Sequence, residues 1–223
     1  MKKIVLLSLV TAVLTAFAGC GEKTVPEESS SQAETTAPAE TDYETPTVRV
    51  RNIEEMTDFE YELLDKGAVI TRYTGTSKDV VIPDEIEGVD VVEIGFYAFE
   101  AKYDVRSVAI PETVTLIGEG AFMDCASLET INIPEAVTGI DRGAFVACTS
   151  LEEITIPANV TYVHEEAFTA CESLVSLTIN NPSLAYENWG LEELPDLTVY
   201  APEGSAVMQW AGDRGLKTAA SGQ

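Results

Sequence analysis

Three cysteines are the residues whose spacing most suggests chemistry. Cys125, Cys148 and Cys171 recur every 23 residues, and thiols grouped in this way can hold a zinc ion or form a disulfide. No histidine or acid recurs beside them to complete a zinc site. If the repeats stack, parallel thiols are badly aimed for a disulfide, and three of them cannot all pair. We predict buried free thiols that act as small apolar side chains.

The other candidates for catalysis are few. His164 is the only histidine, and its repeat position is elsewhere held by glycine or aspartate, which is typical of a solvated turn. The pairs Glu152-Glu153 and Glu165-Glu166 are adjacent in sequence. Adjacent side chains usually point to different sides, which favours solvated surface over an acid/base couple. We therefore predict no catalytic residue, no metal site and no cofactor, and a protein that is not an enzyme.

The charge balance is strongly acidic. The 223 residues include 13 Lys and Arg against 38 Asp and Glu, a formal net charge of −25. A chain with this charge is a poor ligand for nucleic acid or for anionic lipid headgroups. Its hydrophobic fraction of 45% is that of an ordinary globular protein, so we expect a sizeable core.

The first twenty residues have the pattern of an export signal. Two lysines precede an apolar run that ends at Phe17 and is too short for a comfortable transmembrane helix. The sequence FAGC resembles a bacterial lipobox, although Phe17 stands where leucine is preferred. The resemblance implies a lipoprotein signal peptide over residues 1–19 and a lipid anchor on Cys20. A plain secretory signal that ends near a cysteine is the alternative.

Residues 20–47 have a different composition from the rest of the chain. They are rich in Glu, Ser, Thr, Ala and Pro and carry very few large apolar side chains. Such a segment cannot bury enough surface to offset the entropy lost on ordering. We expect a disordered acidic tether that holds the following domain away from a membrane.

A 23-residue repeat runs through the chain from Asp79 onward. A fixed period of this length with an L-x-x-L-x-L kernel indicates a leucine-rich solenoid. In the kernel LETINI we expect Leu128, Ile131 and Ile133 to point inward and Asn132 outward, as in a short strand. Stacked kernels would then form a parallel sheet. Four columns keep the period: Ala98-Phe99, Ala121-Phe122, Ala144-Phe145 and Ala167-Phe168; Val105, Leu128, Leu151 and Leu174; Ile94, Ile117, Ile140 and Val163; Ile110, Ile133, Ile156 and Ile179.

The two ends of such a solenoid need covers, because an end coil exposes apolar side chains and a strand edge. Residues 48–76 hold two alternating segments around an Asp-Lys-Gly turn, which predicts a β-hairpin cap. Residues 77–200 hold the repeats. Residues 201–223 form a C-terminal cap and tail, with a short helix that begins at Ser205 and with Trp210 over the last layer. The predicted fold is a mainly β leucine-rich-repeat solenoid with a hairpin cap and a short helical cap.

The repeat resembles that of the BspA-like, or Treponema-type, leucine-rich repeat family. The opening ELLDKGAVITRYTG also resembles the family's usual first unit, and the resemblance covers about Phe59 to Lys217. The departures are Lys102 in place of the column cysteine, and Asp141 and His164 in place of a glycine. The resemblance implies a surface protein associated with adhesion to host matrix proteins or to other cells. The family pattern is filled in order by Leu128, Ile131, Ile133, Pro134, Val137, Ile140, Ala144, Phe145, Cys148 and Leu151.

The outward positions of the kernel strands are the candidate binding face. They are small and polar and lack the aromatic and arginine anchors of tight interfaces. A solvated sheet face is therefore the alternative to a shallow site for an extended peptide or a glycan. An aromatic group of Tyr186, Trp189, Tyr200 and Trp210 is explained first by packing of the cap. The candidate residues are Thr130, Asn132, Glu153, Thr155, Ser176, Thr178, Thr198 and Tyr200, continued at one end by Ser107 and Ala109.

These observations predict a monomeric, non-enzymatic lipoprotein displayed on a bacterial surface outside the cytoplasm. Its expected role is binding or adhesion to a protein or glycan partner, with host matrix among the candidates. Nucleic acid is not an expected partner. The alternative is a structural or assembly protein of the bacterium's own envelope.

Overall fold

Fourteen short strands and one helix make up the described part of the chain in a computed structural model, residues 58–192 and 194–221. The expected signal peptide (1–19), tether (20–47) and lipidation residue Cys20 lie outside the described residues. The elements are β1 (Phe59–Leu64), β2 (Gly67–Tyr73), β3 (Asp79–Val81), β4 (Glu85–Ile86), β5 (Val89–Ile94), β6 (Ser107–Ala109), β7 (Leu116–Ile117), β8 (Thr130–Ile131), β9 (Gly139–Ile140), β10 (Glu153–Ile156), β11 (Tyr162–Val163), β12 (Ser176–Ile179), β13 (Thr198–Ala201), α1 (Ala206–Asp213) and β14 (Lys217–Ala220).

The chain winds as a mainly β solenoid of about seven turns, as predicted. The kernel strands pair in parallel, in a three-stranded sheet ordered β3-β6-β8 and a four-stranded sheet ordered β10-β12-β13-β14. A second part of each repeat, the isoleucine column, also forms strands. These strands lie in a seven-stranded sheet ordered β1-β2-β5-β7-β9-β11, with β4 beside β5. The sequence pattern does not predict this sheet, because each regular repeat contributes only two residues to it.

The N-terminal cap is the predicted hairpin. β1 and β2 pair antiparallel, and β2 then pairs in parallel with β5, so the hairpin covers the edge of the first coil. The first coil is longer than the others, since Asp79 is in register with Ser107, 28 residues on. The additional residues form a small hairpin between β4 and β5. Its turn residues Glu87 and Gly88 have φ values of 53° and 75°, as a tight turn of this kind requires.

A ladder of phenylalanine rings fills the interior. Phe99, Phe122, Phe145 and Phe168 are fully buried, and successive ring centroids lie 5.0, 5.5 and 5.7 Å apart. Tyr73 of the hairpin stacks on Phe99 at 5.1 Å and so extends the ladder into the cap. Each ring is covered by the coils on both sides, which is why one coil cannot bury its own core.

Every regular coil contains two residues with left-handed backbone. Adopting this conformation costs a residue other than glycine about 1–2 kcal/mol. Because only two of the eight positions are glycine, the sequence pattern does not predict these columns. One column is Tyr97, Gly120, Gly143 and Glu166, and the other is Ala101, Asp124, Ala147 and Ala170, with φ between 51° and 62°.

The C-terminal cap contains the predicted helix. Ser205 precedes α1, and its Oγ accepts a hydrogen bond from the Met208 N–H at 3.2 Å, which is the usual role of serine at this position. Trp210 is buried and lies 4.8 Å from Trp189 between ring centroids. After the helix, β14 adds in parallel to β13. This strand lies in the segment predicted as a tail, because Lys217–Ala220 carries no large apolar side chain.

The close contact between Gly139 and Tyr162 provides a test of the stacking. A Cβ atom on Gly139 would lie 2.1 Å from Cζ of Tyr162. We expect Gly139→Ala to lower the free energy of unfolding by about 1 kcal/mol, because the Tyr162 ring must leave its preferred rotamer, measured by urea denaturation. The cost should shrink in a Tyr162→Ala background, because the obstructing ring is then absent.

The matched control is Gly212→Ala in α1, where nothing lies within 4 Å of the new Cβ. This change should raise stability by up to about 1 kcal/mol through helix propensity. Equal costs of Gly139→Ala with and without the Tyr162 ring would contradict the contact.

Candidate functional site

Six of the eight candidate residues lie in two straight rows on the four-stranded sheet. Neighbouring strands of a sheet lie about 4.8 Å apart, so each row is a closely spaced polar line. Glu153 and Thr155 are exposed, whereas the other four are half-buried. The rows are Glu153, Ser176, Thr198 and Lys217, and Thr155, Thr178, Tyr200 and Ala219.

Of the remaining two candidates, Thr130 lies on the three-stranded sheet and Asn132 directly follows its strand β8. Thr130 is in register with Ser107. These residues line a shallow depression of about 400 Å³ together with β3 and β6. At its end Val81 is 75% exposed. The predicted face is therefore divided between two sheets rather than carried by a continuous one.

The Asn132 side chain is used within the protein. Its Oδ1 accepts a hydrogen bond from the Ile110 N–H, and its Nδ2 donates to the Ile110 carbonyl, both at 2.8 Å. In the preceding coil, the Ile82 N–H bonds instead to a backbone carbonyl, that of Ala109, at 3.0 Å. Asn132 thus replaces a backbone partner where the kernel strand is shortest, a role that its outward position did not predict.

The column cysteines are fully buried and unpaired with one another, as the sequence predicted. In addition, each thiol donates a hydrogen bond to a phenylalanine carbonyl of the preceding coil, which the sequence analysis missed. Burial raises the pKa of Cys125 and Cys171 to about 12 and that of Cys148 well above its ordinary value. A thiolate nucleophile is therefore strongly disfavoured. The pairs are Cys125 with Phe99 (3.1 Å), Cys148 with Phe122 (3.2 Å) and Cys171 with Phe145 (3.1 Å).

His164 lies at the surface directly after β11. Its Nδ1 is 3.3 Å from a carboxylate oxygen of Glu187, and both side chains are nearly half exposed. Burial raises the pKa of nearby Asp141, while His164 opposes the shift and Glu93 and Glu119 add to it. The histidine has an acidic partner, but no serine, threonine or cysteine hydrogen bond to its ring is present among the described residues. This arrangement is that of a hydrogen-bonded pair of surface side chains.

The adjacent glutamates are also surface residues. Glu152, Glu153, Glu165 and Glu166 are all exposed, and Glu166 forms an ion pair with Arg142 at 2.9 Å. Within residues 58–192 and 194–221, no group of three His, Cys, Asp or Glu side chains is placed to hold a metal ion. In the same ranges, no helix has both the length and the apolar character needed to cross a bilayer.

The C-terminal aromatic group is only partly brought together. Trp189 and Trp210 are in ring contact, and Tyr186 lies 5.7 Å from Trp210. The Trp189 indole N–H donates to the Val163 carbonyl at 2.9 Å. Tyr200 is placed instead on the four-stranded sheet, in register with Thr178. The tryptophans thus pack the cap, as the sequence analysis expected.

The stacked kernels, the phenylalanine ladder and the buried column cysteines define a leucine-rich repeat solenoid. The family description "BspA type leucine rich repeat region" matches residues 74–191 in six copies. The chain therefore belongs to the BspA-type leucine-rich repeat family. Repeat solenoids of this class are in general binding proteins.

Solved structures agree with this assignment. The leucine-rich repeat protein TpLRR of T. pallidum is 32% identical, with a TM-score of 0.61 over 65% of this chain and 69% of that chain. A leucine-rich repeat protein from Bacteroides capillosus is 31% identical, with a TM-score of 0.51 over 55% and 94%. The pneumococcal vaccine antigen PcpA, at 18% identity, a TM-score of 0.53 and coverage of 76% and 49%, shares the fold alone. The search of curated proteins found no match.

The role of Asn132 can be tested by substitution. We expect Asn132→Ala to lower the free energy of unfolding by about 1–3 kcal/mol, because it leaves the Ile110 N–H without its partner. Thr155→Ala, on the exposed part of the neighbouring sheet, is the control and should change stability by less than about 0.5 kcal/mol. Equal effects of the two substitutions in urea denaturation would show that the Asn132 bonds contribute nothing.

The buried thiols predict a loss of stability at alkaline pH. Their pKa is raised on folding, so the folded state keeps protons that the unfolded state releases. The stabilisation is complete below about pH 9 and declines as pH rises towards about 12. Urea denaturation from pH 7 to pH 11 should show this decline, and Cys171→Ala should make it shallower. In a Cys20→Ser chain, rapid alkylation of the column thiols at pH 8 without denaturant would contradict their burial.

Proposed function

We propose that the chain is a surface-displayed, lipid-anchored binding protein that recognises a protein or glycan partner through its repeat solenoid. The observation that carries this proposal is the pair of registered polar rows on the four-stranded sheet. The rows offer hydroxyl groups on the three neighbouring strands β10, β12 and β13, with Tyr200 as the large side chain among them. Family membership and the export pattern of the N-terminal sequence support the same role.

We choose this surface because its side chains are not needed for the core. The Cys, Phe, Ile and Leu columns are buried between coils, whereas the outward kernel positions are constrained only by strand geometry. An extended peptide or a glycan can lie across such rows and form hydrogen bonds with successive coils. Anchoring through Cys20, display on the cell surface and a monomeric state remain part of the proposal.

The test is binding of the purified full-length chain to arrays of extracellular matrix proteins and cell-wall polysaccharides. Thr178→Arg should weaken binding of the captured partner at least tenfold, about 1.4 kcal/mol, because it places a bulky cation in the centre of a row. Thr161→Arg is the matched control, since the same exchange lies beside β11 in the seven-stranded sheet. It should change affinity less than about twofold.

Two results would count against the proposal. One is the absence of any saturable partner at micromolar concentration. The other is a partner whose affinity responds equally to the Thr178 and Thr161 substitutions. Cross-linking in intact cells then separates adhesion from an assembly role: capture of proteins of the bacterium's own envelope would favour assembly.

A further inference from the structure

Three cations of this acidic protein have no carboxylate partner among the described residues. Eight lysines and arginines lie in residues 58–192 and 194–221. Five of them are ion-paired within 4 Å, namely Lys66, Arg72, Arg142, Arg214 and Lys217. The other three are Lys78, Lys102 and Arg106.

These three cations belong to two adjacent coils. The Arg106 N–H donates to the Lys78 carbonyl at 2.7 Å, so Lys78 and Arg106 occupy equivalent positions one coil apart. Lys102 precedes Arg106 by four residues, across the turn that leads into β6. Its ammonium lies 5.9 Å from the centroid of the Tyr73 ring. We call Lys78, Lys102 and Arg106 the basic cluster.

A cavity lies beside the basic cluster. It has a volume of about 230 Å³ and lies between residues 73–77 and 101–105, with Lys102 in its wall. Tyr73 is buried, and its hydroxyl donates to the Ser77 carbonyl at 3.2 Å, which fixes one side of the cavity. The Tyr103 ring also lines it, and this side chain is 60% exposed. Other coils cannot form this cavity in the same way, because a buried cysteine replaces Lys102.

Acidic groups near the cluster limit its charge without neutralising it by contact. Asp104 lines the cavity. Asp79, next to Lys78 in sequence, accepts a hydrogen bond from the Ser107 hydroxyl at 2.6 Å. Glu129 is the neighbour of Arg106 in the following coil. The Glu129 backbone N–H donates to the Arg106 carbonyl at 2.8 Å. Their carboxylates are all farther than 4 Å from the described cations, which keeps the cationic groups available.

We propose that the basic cluster and the adjoining Tyr103 ring bind an acidic glycan, through the carboxylate or sulfate group of one sugar. The cations supply charge-assisted hydrogen bonds to the anionic group, and the exposed tyrosine ring offers an apolar surface and a hydroxyl to the sugar. This inference rests on the proposed binding function and names a ligand class and a subsite for it. The subsite lies at the first coils, away from the rows of the four-stranded sheet.

The shape of the site favours a glycan over an acidic peptide. The cavity is short and is bounded by two turns, with Lys102 in its wall, and Lys78 and Arg106 lie in the same two coils. An extended acidic peptide would instead need cations at intervals along the rows. There the charged side chains are Glu153 at one end and Lys217, ion-paired with Asp196, at the other.

The experiment is calorimetric titration of the full-length chain with four probes. These are a heparin-derived hexasaccharide, an oligogalacturonate hexamer, maltohexaose and a hexaglutamate peptide. We expect saturable binding of the sulfated probe, the uronate probe or both, and none of the neutral sugar. The affinity should fall as the salt concentration rises, because the contacts are partly exposed and therefore screened. The two acidic probes distinguish a sulfate from a carboxylate as the recognised group.

Substitutions then locate the site. Lys102→Gln and Arg106→Gln should each weaken binding at least about fivefold, the loss of one charge-assisted hydrogen bond, and Tyr103→Ala should also weaken it. Asp104→Asn should strengthen it, because it removes the one carboxylate that lines the cavity. Arg72→Gln removes the same charge from an exposed position on the hairpin, and it should leave the affinity within about twofold.

Three results would overturn the inference. They are equal loss of affinity with Arg72→Gln and Arg106→Gln, hexaglutamate binding as tight as that of the acidic sugars, and no binding of either acidic sugar. Failure here is distinguishable from failure of the proposed function. If an array partner binds and responds to Thr178→Arg but not to the cluster substitutions, the function stands and only the glycan subsite is excluded.

Discussion

Each coil of this protein has its backbone hydrogen bonds completed by the next coil, and the other features of the fold depend on this arrangement. The Tyr73 N–H donates to the Ala98 carbonyl at 2.7 Å, and the same bond recurs from Phe99 to Ala121. It continues in the following coils, from Phe122 to Ala144 and from Phe145 to Ala167. Because buried backbone groups must be paired, a coil cannot shift relative to its neighbour without breaking the whole series. These bonds therefore fix the offset between coils, and the additional residues of the first coil are accommodated in a separate hairpin.

Several repeated side chains also join neighbouring coils. Each donates a second hydrogen bond to a backbone carbonyl that already accepts one. The hydroxyls of Thr115, Thr138 and Thr161 each donate to a carbonyl of the preceding coil, at 3.0 to 3.2 Å. Those carbonyls, of Val92, Thr115 and Thr138, already accept backbone N–H groups. The column thiols behave alike towards the phenylalanine carbonyls. A residue type that suggests metal binding or nucleophilic catalysis in a single sequence is here a structural donor, and its burial raises its pKa rather than activating it.

The sequence was sufficient for the features that depend on which side chains recur. The Phe99 and Leu128 columns predicted the solenoid, the alternation in β1 and β2 predicted the hairpin, and Ser205 predicted the start of α1. The features that the sequence did not predict depend on how each coil is positioned against the next. The left-handed residues Asp124 and Ala147 carry no sequence signal, the Asn132 amide acts on a residue 22 positions earlier, and the strands of the seven-stranded sheet are too short to show alternation. Seven of the eight candidate residues lie on strands and Asn132 directly follows one, but the division of this face between two sheets carries no sequence signal.

Recognition in such a protein must come from positions that the stacking leaves unconstrained. Along the regular coils, the inward columns are occupied by packing, and most outward positions carry small polar groups such as Thr155 and Thr178. At the first coil the constraint relaxes, because its length differs and the thiol donor is absent. Lys102 stands in that column without the hydrogen bond that Cys125 makes in the next coil, and the loop beside it encloses a cavity. A departure from the repeat removes a structural hydrogen bond and places a partly buried charged group in the wall of that cavity. The irregular end of the solenoid is accordingly the place where chemistry distinct from that of the repeats is concentrated.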